Sequence, residues 1–223
     1  MIVAERKPLD KIAGMIEPFE KVLIVGCGTC VAVCLSGGEK EVAELAEEFR
    51  LKTRMNGGKR VFGEYTLTRQ CDMEYLDQIA DVVEDYDAIL SMACGAGVQF
   101  IAQRYDHKPV FPALDTRFIG VSMEAGTWSQ RCIACSDCIL DRTGGICPKT
   151  MCAKGLVNGP CGGTNHGKCE VNPETDCAWT LIYRRLEKLG RLELMREIQP
   201  LKRNHPATRP ITIRHDSYKR FDG

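Results

Sequence analysis

The chain has 223 residues, 44 % of them hydrophobic, and its 30 Lys and Arg are balanced by 30 Asp and Glu. That is room for one large domain or two small ones, and the neutral balance excludes the broad basic footprint of a nucleic-acid binder. No apolar run approaches the ~20 residues of a membrane helix, and the charged start Met1-Ile-Val-Ala-Glu-Arg-Lys-Pro8 lacks a signal peptide's apolar core, so a cytoplasmic protein is expected.

Pro8 can open a short helix to about Glu20, with Ile12, Met15 and Ile16 on one side. Lys21-Val-Leu-Ile-Val-Gly26 reads as a strand buried on both faces, because its apolar run is continuous and half β-branched. A helix over 39–51 presents Val42, Leu45, Ala46 and Phe49 at inward spacing. The alternation continues with a strand over 60–67, a helix over 72–85, a strand over 88–93, a helix to about Tyr105 and a strand from Pro109. Strand–helix alternation with short turns predicts an α/β fold, a small doubly wound parallel sheet, over residues 1–125.

Thiols gather where these strands should end. Cys27, Cys30 and Cys34 follow the first strand, Cys71 follows the second and Cys94 the third. The carboxyl edge of an open α/β sheet is where such folds bind ligands, so a cluster there is expected. Cys94, among glycines at a helix start, is the favoured fourth ligand beside Cys27, Cys30 and Cys34. Cys71 is given a supporting role, because the charge of Asp72 opposes an anionic cluster. A dinucleotide turn at Gly26-Cys27-Gly28 is disfavoured, since Val31 stands where the third glycine belongs.

The other eight of the thirteen cysteines follow as Cys132-x2-Cys135-x2-Cys138, Cys147-Pro148, Cys152, Cys161, Cys169 and Cys177. Three thiols at two-residue spacing can turn to a common point, and a fourth closes a tetrahedral set for either a [4Fe–4S] cluster or zinc. Disulfides fit poorly with an odd count and no secretory signal. None of His107, His166, His205 and His215 is placed to activate a thiol, and His166 reads as a loop residue before it reads as a ligand. These features predict a loop-rich cysteine/metal-binding domain over 126–195, closed by an apolar helix over 178–189. Such glycine-rich loops bury little, so a metal must supply much of their stability. Residues 196–223 read as a basic C-terminal arm, with six Lys and Arg against two Asp from 201 onward.

Several motifs together carry a resemblance. They are Gly26-Cys-Gly-Thr-Cys30-x3-Cys34 with Gly37-Gly-Glu39, and Ala93-Cys-Gly-Ala-Gly-Val-Gln99. Further along stand Thr143-Gly-Gly-Ile-Cys-Pro148, Gly155-Leu-Val-Asn-Gly-Pro-Cys-Gly-Gly163, Gly167-Lys-Cys-Glu170 and Asp176-Cys-Ala-Trp179. This set resembles the MetV small subunit of methylenetetrahydrofolate reductase, over nearly the whole chain to about residue 195. The resemblance implies an iron–sulfur subunit in one-carbon metabolism, including the acetyl-CoA pathway. It carries two to three [4Fe–4S] clusters, with zinc an option in the C-terminal domain. Its implied partner is a MetF-type flavoprotein that holds the flavin and the folate site, with further electron-transfer subunits an option. With about four strands in its first 112 residues, this chain is not itself the ~250-residue barrel of such a catalytic subunit. The competing readings are a zinc-stapled interaction module without redox role and a self-sufficient oxidoreductase.

Overall fold

The structure is a computed structural model that describes residues 1–136, 138–200 and 212–213. The chain divides into two compact units, Met1–Gln130 and Arg131–Gly223.

The first unit opens with β1 (Ile2–Arg6) and α1 (Leu9–Met15). The helix is shorter than its apolar spacing suggests; Pro18 cannot extend it, and Ile16 caps it instead. Then come β2 (Lys21–Cys27), the single turn α2 (Cys30–Val33) and α3 (Glu39–Met55). Glu41 starts α3 by accepting the Gly38 N–H at 2.9 Å. After β3 (Val61–Leu67), the helix expected over 72–85 is broken into α4 (Met73–Leu76), a 3-10 turn and α5 (Ala80–Val83). Leu76, Ile79 and Val83 still point inward with no exposed surface, so the burial pattern survives the change of winding. β4 (Ala88–Met92), α6 (Gly95–Arg104) and β5 (Val110–Pro112) complete the alternation.

These strands form a parallel sheet in the order β3-β2-β4-β5. Successive residues of β2 face opposite sides. Val22 and Ile24 join the core under α3, with Leu45 and Phe49. Leu23 and Val25 join the core with Leu76, Ile79, Val83 and Ile101. Helices therefore cover both faces, and β2 is flanked by both β3 and β4 as the alternation implies.

A second sheet escaped the sequence reading. β6 (Leu114–Glu124) and β7 (Thr127–Cys132) form a hairpin, and β1 pairs antiparallel with β6 to give the order β1-β6-β7. β1 and β6 lie more than a hundred residues apart, and β6 is largely exposed along its length, so neither carries a strong apolar signature.

The second unit contains little regular structure. α7 (Pro148–Met151) is one turn, and α8 (Ala178–Lys188) stands where an apolar helix was expected. Its core is Trp179, Ile182 and Leu186, with Ile146, Cys152, Cys177, Leu192, Leu194 and Met195 packed against them. Most of the basic arm expected over 196–223 lies outside the described residues. No described helix is long and apolar enough to cross a membrane.

Candidate metal centres

At the carboxyl edge of the parallel sheet, β2 ends at Cys27 and β4 ends two residues before Cys94, which caps α6. The helix after β2 packs on one face and those after β3 and β4 on the other, which makes the gap between β2 and β4 a topological switch point. The segment after β3 is folded over the same edge. Gly28 donates its N–H to the Leu67 carbonyl at 2.8 Å. Gln70, with no exposed surface, donates from Nε2 to the carbonyls of Val25 at 2.7 Å and Gly26 at 3.0 Å. Its Oε1 accepts the Ser91 hydroxyl of β4 at 2.6 Å. At Gly97 an added Cβ would stand 3.0 Å from the Gln70 Cβ and 2.8 Å from that of Ala93, so only glycine lets the first turn of α6 close on this loop. Cys71 is thereby held beside the ends of β2 and β4. Burial pushes its thiol up, and the neighbouring Cys27 and Cys94 thiols push it further, with Arg69 opposing. Arg69 also faces Asp72 at 3.9 Å, which offsets the charge that argued against Cys71 as a ligand.

Cys30 opens α2, partly exposed. Cys34 faces elsewhere. Its sulfur lies 3.5 Å from the Ala4 N–H and 3.6 Å from the Ala4 carbonyl in β1, and 3.3 Å from the Ser36 hydroxyl. It is 5 % exposed and belongs to the core.

In the second unit Cys152, Cys161, Cys169 and Cys177 line one cavity of about 20 Å³, with Lys154, Thr164, Glu170, Ala178 and Trp179. Short ladders fix the loops that carry them: Asn165 and Lys168 bridge, as do Lys168 and Asp176. Cys169 N–H donates to the Thr175 carbonyl at 3.0 Å, and Cys177 N–H to the Gly167 carbonyl at 2.8 Å. Trp179 Nε1 donates to the Leu156 carbonyl at 3.0 Å and closes the floor. The Cys161 thiol donates to Glu170 at 3.1 Å and receives the Gly163 N–H at 3.4 Å. Glu170 holds Lys154 above its ordinary pKa against burial, and the Cys161 and Cys169 sulfurs nearby add to this. Burial works against the Cys177 thiolate, yet the Thr180 and Thr164 hydroxyls and the amides of Thr180 and Trp179 bring its pKa below the ordinary value. Four thiols around one cavity form a donor set that suits soft-metal ligation.

Cys132 ends β7 and accepts the Ala134 N–H at 3.3 Å. Ala134 and Ser136, on either side of Cys135, both take positive φ, 52° and 66°. Cys147 caps α7 and borders a separate cavity with Arg131, Arg184, Arg185 and Lys188. Cys132, Cys135 and Cys138 line neither of these cavities. His166 takes φ 48° in its loop and does not line the four-thiol cavity.

All thirteen thiols stand outside disulfides. Among the described residues, no three His, Cys, Asp or Glu side chains are drawn close enough to grip a single metal ion. Tetrahedral zinc, with Zn–S bonds of about 2.3 Å, asks for sulfurs roughly 3.8 Å apart. In a cubane each thiolate takes a different iron, and the sulfurs stand further apart.

Residues 111–205 match the family model described as methylene-tetrahydrofolate reductase C terminal. The match spans the second unit's cysteines and starts within β5. It supports a relation of this part of the chain to methylenetetrahydrofolate reductases. No curated protein and no solved structure matches the chain.

Proposed function

We propose that the chain is an iron–sulfur subunit of a methylenetetrahydrofolate reductase complex, passing electrons to or from a flavin-containing catalytic partner. The observation that carries this reading is the gathering of Cys152, Cys161, Cys169 and Cys177 around one cavity, inside the stretch that matches the reductase family model. The thiols at the sheet edge give the chain a second thiol-rich centre, and the described residues form a three-stranded and a four-stranded sheet rather than a barrel. The donor sets fit, being sulfur-rich; the one carboxylate at the second-unit cavity is engaged by Lys154. Bound clusters would supply one-electron chemistry. The protein's own part is to hold the thiolates, to direct amides such as those of Gly163 and Ala134 at their sulfurs, and to limit water at the cavity by packing Trp179 over it. The catalytic flavin and the folate site belong to the partner.

One observation favours a second reading for one centre. A cavity of about 20 Å³ is of single-ion size, and a structural zinc there would have to draw Cys152, Cys161, Cys169 and Cys177 closer together than they stand. Anaerobic purification separates the readings. Clusters give a brown protein with acid-labile sulfide, whose visible absorption bleaches with dithionite. A colourless protein containing only zinc would overturn the electron-transfer role. Co-expression with a flavoprotein reductase subunit should give a stable complex, and a chain that stays apart from it would refute the assigned partner.

A further inference from the structure

We infer that the N-terminal cluster is held by Cys27, Cys30, Cys71 and Cys94, and that Cys34 is a structural thiol rather than a ligand. The inference rests on the iron–sulfur reading above and goes beyond it by assigning individual thiols.

Spacing alone favours Cys34, since Cys27-x2-Cys30-x3-Cys34 looks like a contiguous triple. The fold separates its third member. Cys34 caps the end of α2, and its sulfur is turned to β1, a strand of the other sheet. There it does a specific job. β1 pairs only with β6 and has a register shift between Val3 and Ala4. The Cys34 sulfur accepts the Ala4 N–H and donates to the Ala4 or Val31 carbonyl, both 3.6 Å away. The Ser36 hydroxyl completes its surroundings, and Ser36 in turn donates to the Val31 carbonyl at 3.3 Å. A thiol so enclosed accepts the Ala4 N–H at a strand edge, and turning it to the cluster would take that partner away.

Cys71 is in the opposite situation. It is exposed. Its neighbour Gln70 is tied to the carbonyls of both Val25 and Gly26, immediately before Cys27. On its other side Gln70 meets Ser91 of β4 and Gly97 of α6, which bracket Cys94. One buried amide thus sets Cys71 against the strand ends that carry Cys27 and Cys94. Cys30 comes from the loop that leaves the same strand. With the eight thiols of the second unit set aside for two further four-thiol sites, the count of thirteen leaves one over, and Cys34 is that one.

The test uses the full-length chain, purified anaerobically with its flavoprotein partner, and reads iron, acid-labile sulfide and the EPR spectrum of the dithionite-reduced protein. Cys71→Ser and Cys94→Ser should each lose about four iron and four sulfide per chain relative to wild type. Cys34→Ala should keep wild-type iron, sulfide and EPR signal while melting at a lower temperature. If Cys34→Ala fails to fold, Cys71→Ser alone decides, because an exposed serine there leaves the core intact: full cluster retention would overturn the assignment. Loss of the cluster in a folded Cys34→Ala protein would overturn it equally. Wild-type protein without iron or sulfide would instead refute the iron–sulfur function itself, so the two failures are distinguishable.

Discussion

Gln70 is the residue on which the sheet-edge site turns, and Gln70→Leu is the perturbation that tests it. Leucine keeps much of the volume but can neither donate nor accept. The change deletes two bonds to the β2 carbonyls and the one from Ser91, all within a region that has no exposed surface. The Ser91 hydroxyl loses its acceptor while remaining fully buried, at a cost of about 1–3 kcal/mol. The Val25 and Gly26 carbonyls each lose one partner, and an acceptor with two lone pairs suffers less than a donor with one. A net destabilisation of about 2–4 kcal/mol is expected, a large share of the ~5–15 kcal/mol that typically holds a domain. Urea denaturation followed by circular dichroism measures it, with Ser91→Ala and the double variant closing the cycle. Since Ser91 and Gln70 bond directly, the double variant should be less destabilised than the sum by about 1 kcal/mol. The same Gln70→Leu protein should bind less iron, because Cys71 loses its anchor. A single variant within about 0.5 kcal/mol of wild type, with strict additivity in the cycle, would refute this account of the loop.

Replacing Cys161 by Ser should release the metal held by Cys152, Cys161, Cys169 and Cys177 and leave the iron at the sheet edge; metal analysis of the purified variant checks both halves of that statement. Cys135→Ala opens the middle of the close triple, and it should lose metal and become sensitive to limited proteolysis after Arg131. At the junction of β1 and β6, Lys7 pairs with Asp115 and holds its carboxyl below the ordinary value. A depressed folded pKa gives stability that is present above the unfolded value of about 3.9 and is lost as pH falls through the folded one. The stability gap between wild type and Asp115→Asn should therefore shrink below about pH 4, and a gap that stays constant there would exclude the pair as its source. Removing metal with a strong chelator should leave residues 1–130 protease-resistant while the second unit is digested.

How much of this was legible in the sequence varies with the range of the interaction responsible. Val22-Leu-Ile-Val25 announced a central parallel strand because burial on both faces needs an unbroken apolar run, and its flanking by β3 and β4 followed from the alternation. The second sheet was hidden because β6 offers few apolar positions, and β1 joins it only once the intervening chain has folded. The converging thiols could be read from strand ends, but the direction in which each sulfur points could not. Cys34 follows Cys30 by one helical turn, and only the approach of Ala4 shows what it touches. Gln70 carried no signal at all, since an isolated glutamine after a strand looks like any loop residue. In the second unit the grouping of Cys152 with Cys161, Cys169 and Cys177 depends on loop closures such as Cys177 to Gly167, which no spacing rule supplies.

On the proposed reading, the two thiol-rich regions would use metal in different ways. The sheet edge stands on two cores that cover both faces of β2 and β4, so its loops are held by Gln70, Gly97 and the helix starts before any ligand arrives. A centre built on such a scaffold reorganises little when an electron comes or goes. Among the described residues, the second unit has a small core, Trp179, Ile182 and Leu186 of α8 with Ala178 and Ile139 also buried, and hairpin bridges of a residue pair each. Against that small core stand loops with glycines at positive φ at positions 144, 145, 155, 159, 162 and 167, whose ordering entropy is high. Four thiols around one cavity at the N-terminus of α8 are the feature that can offset this, because a metal bound there would tie the loops of Cys152, Cys161 and Cys169 to the helix that carries most of the core. Metal in the second unit would thus be coupled to folding itself, whereas at the sheet edge it would be added to a fold that already exists.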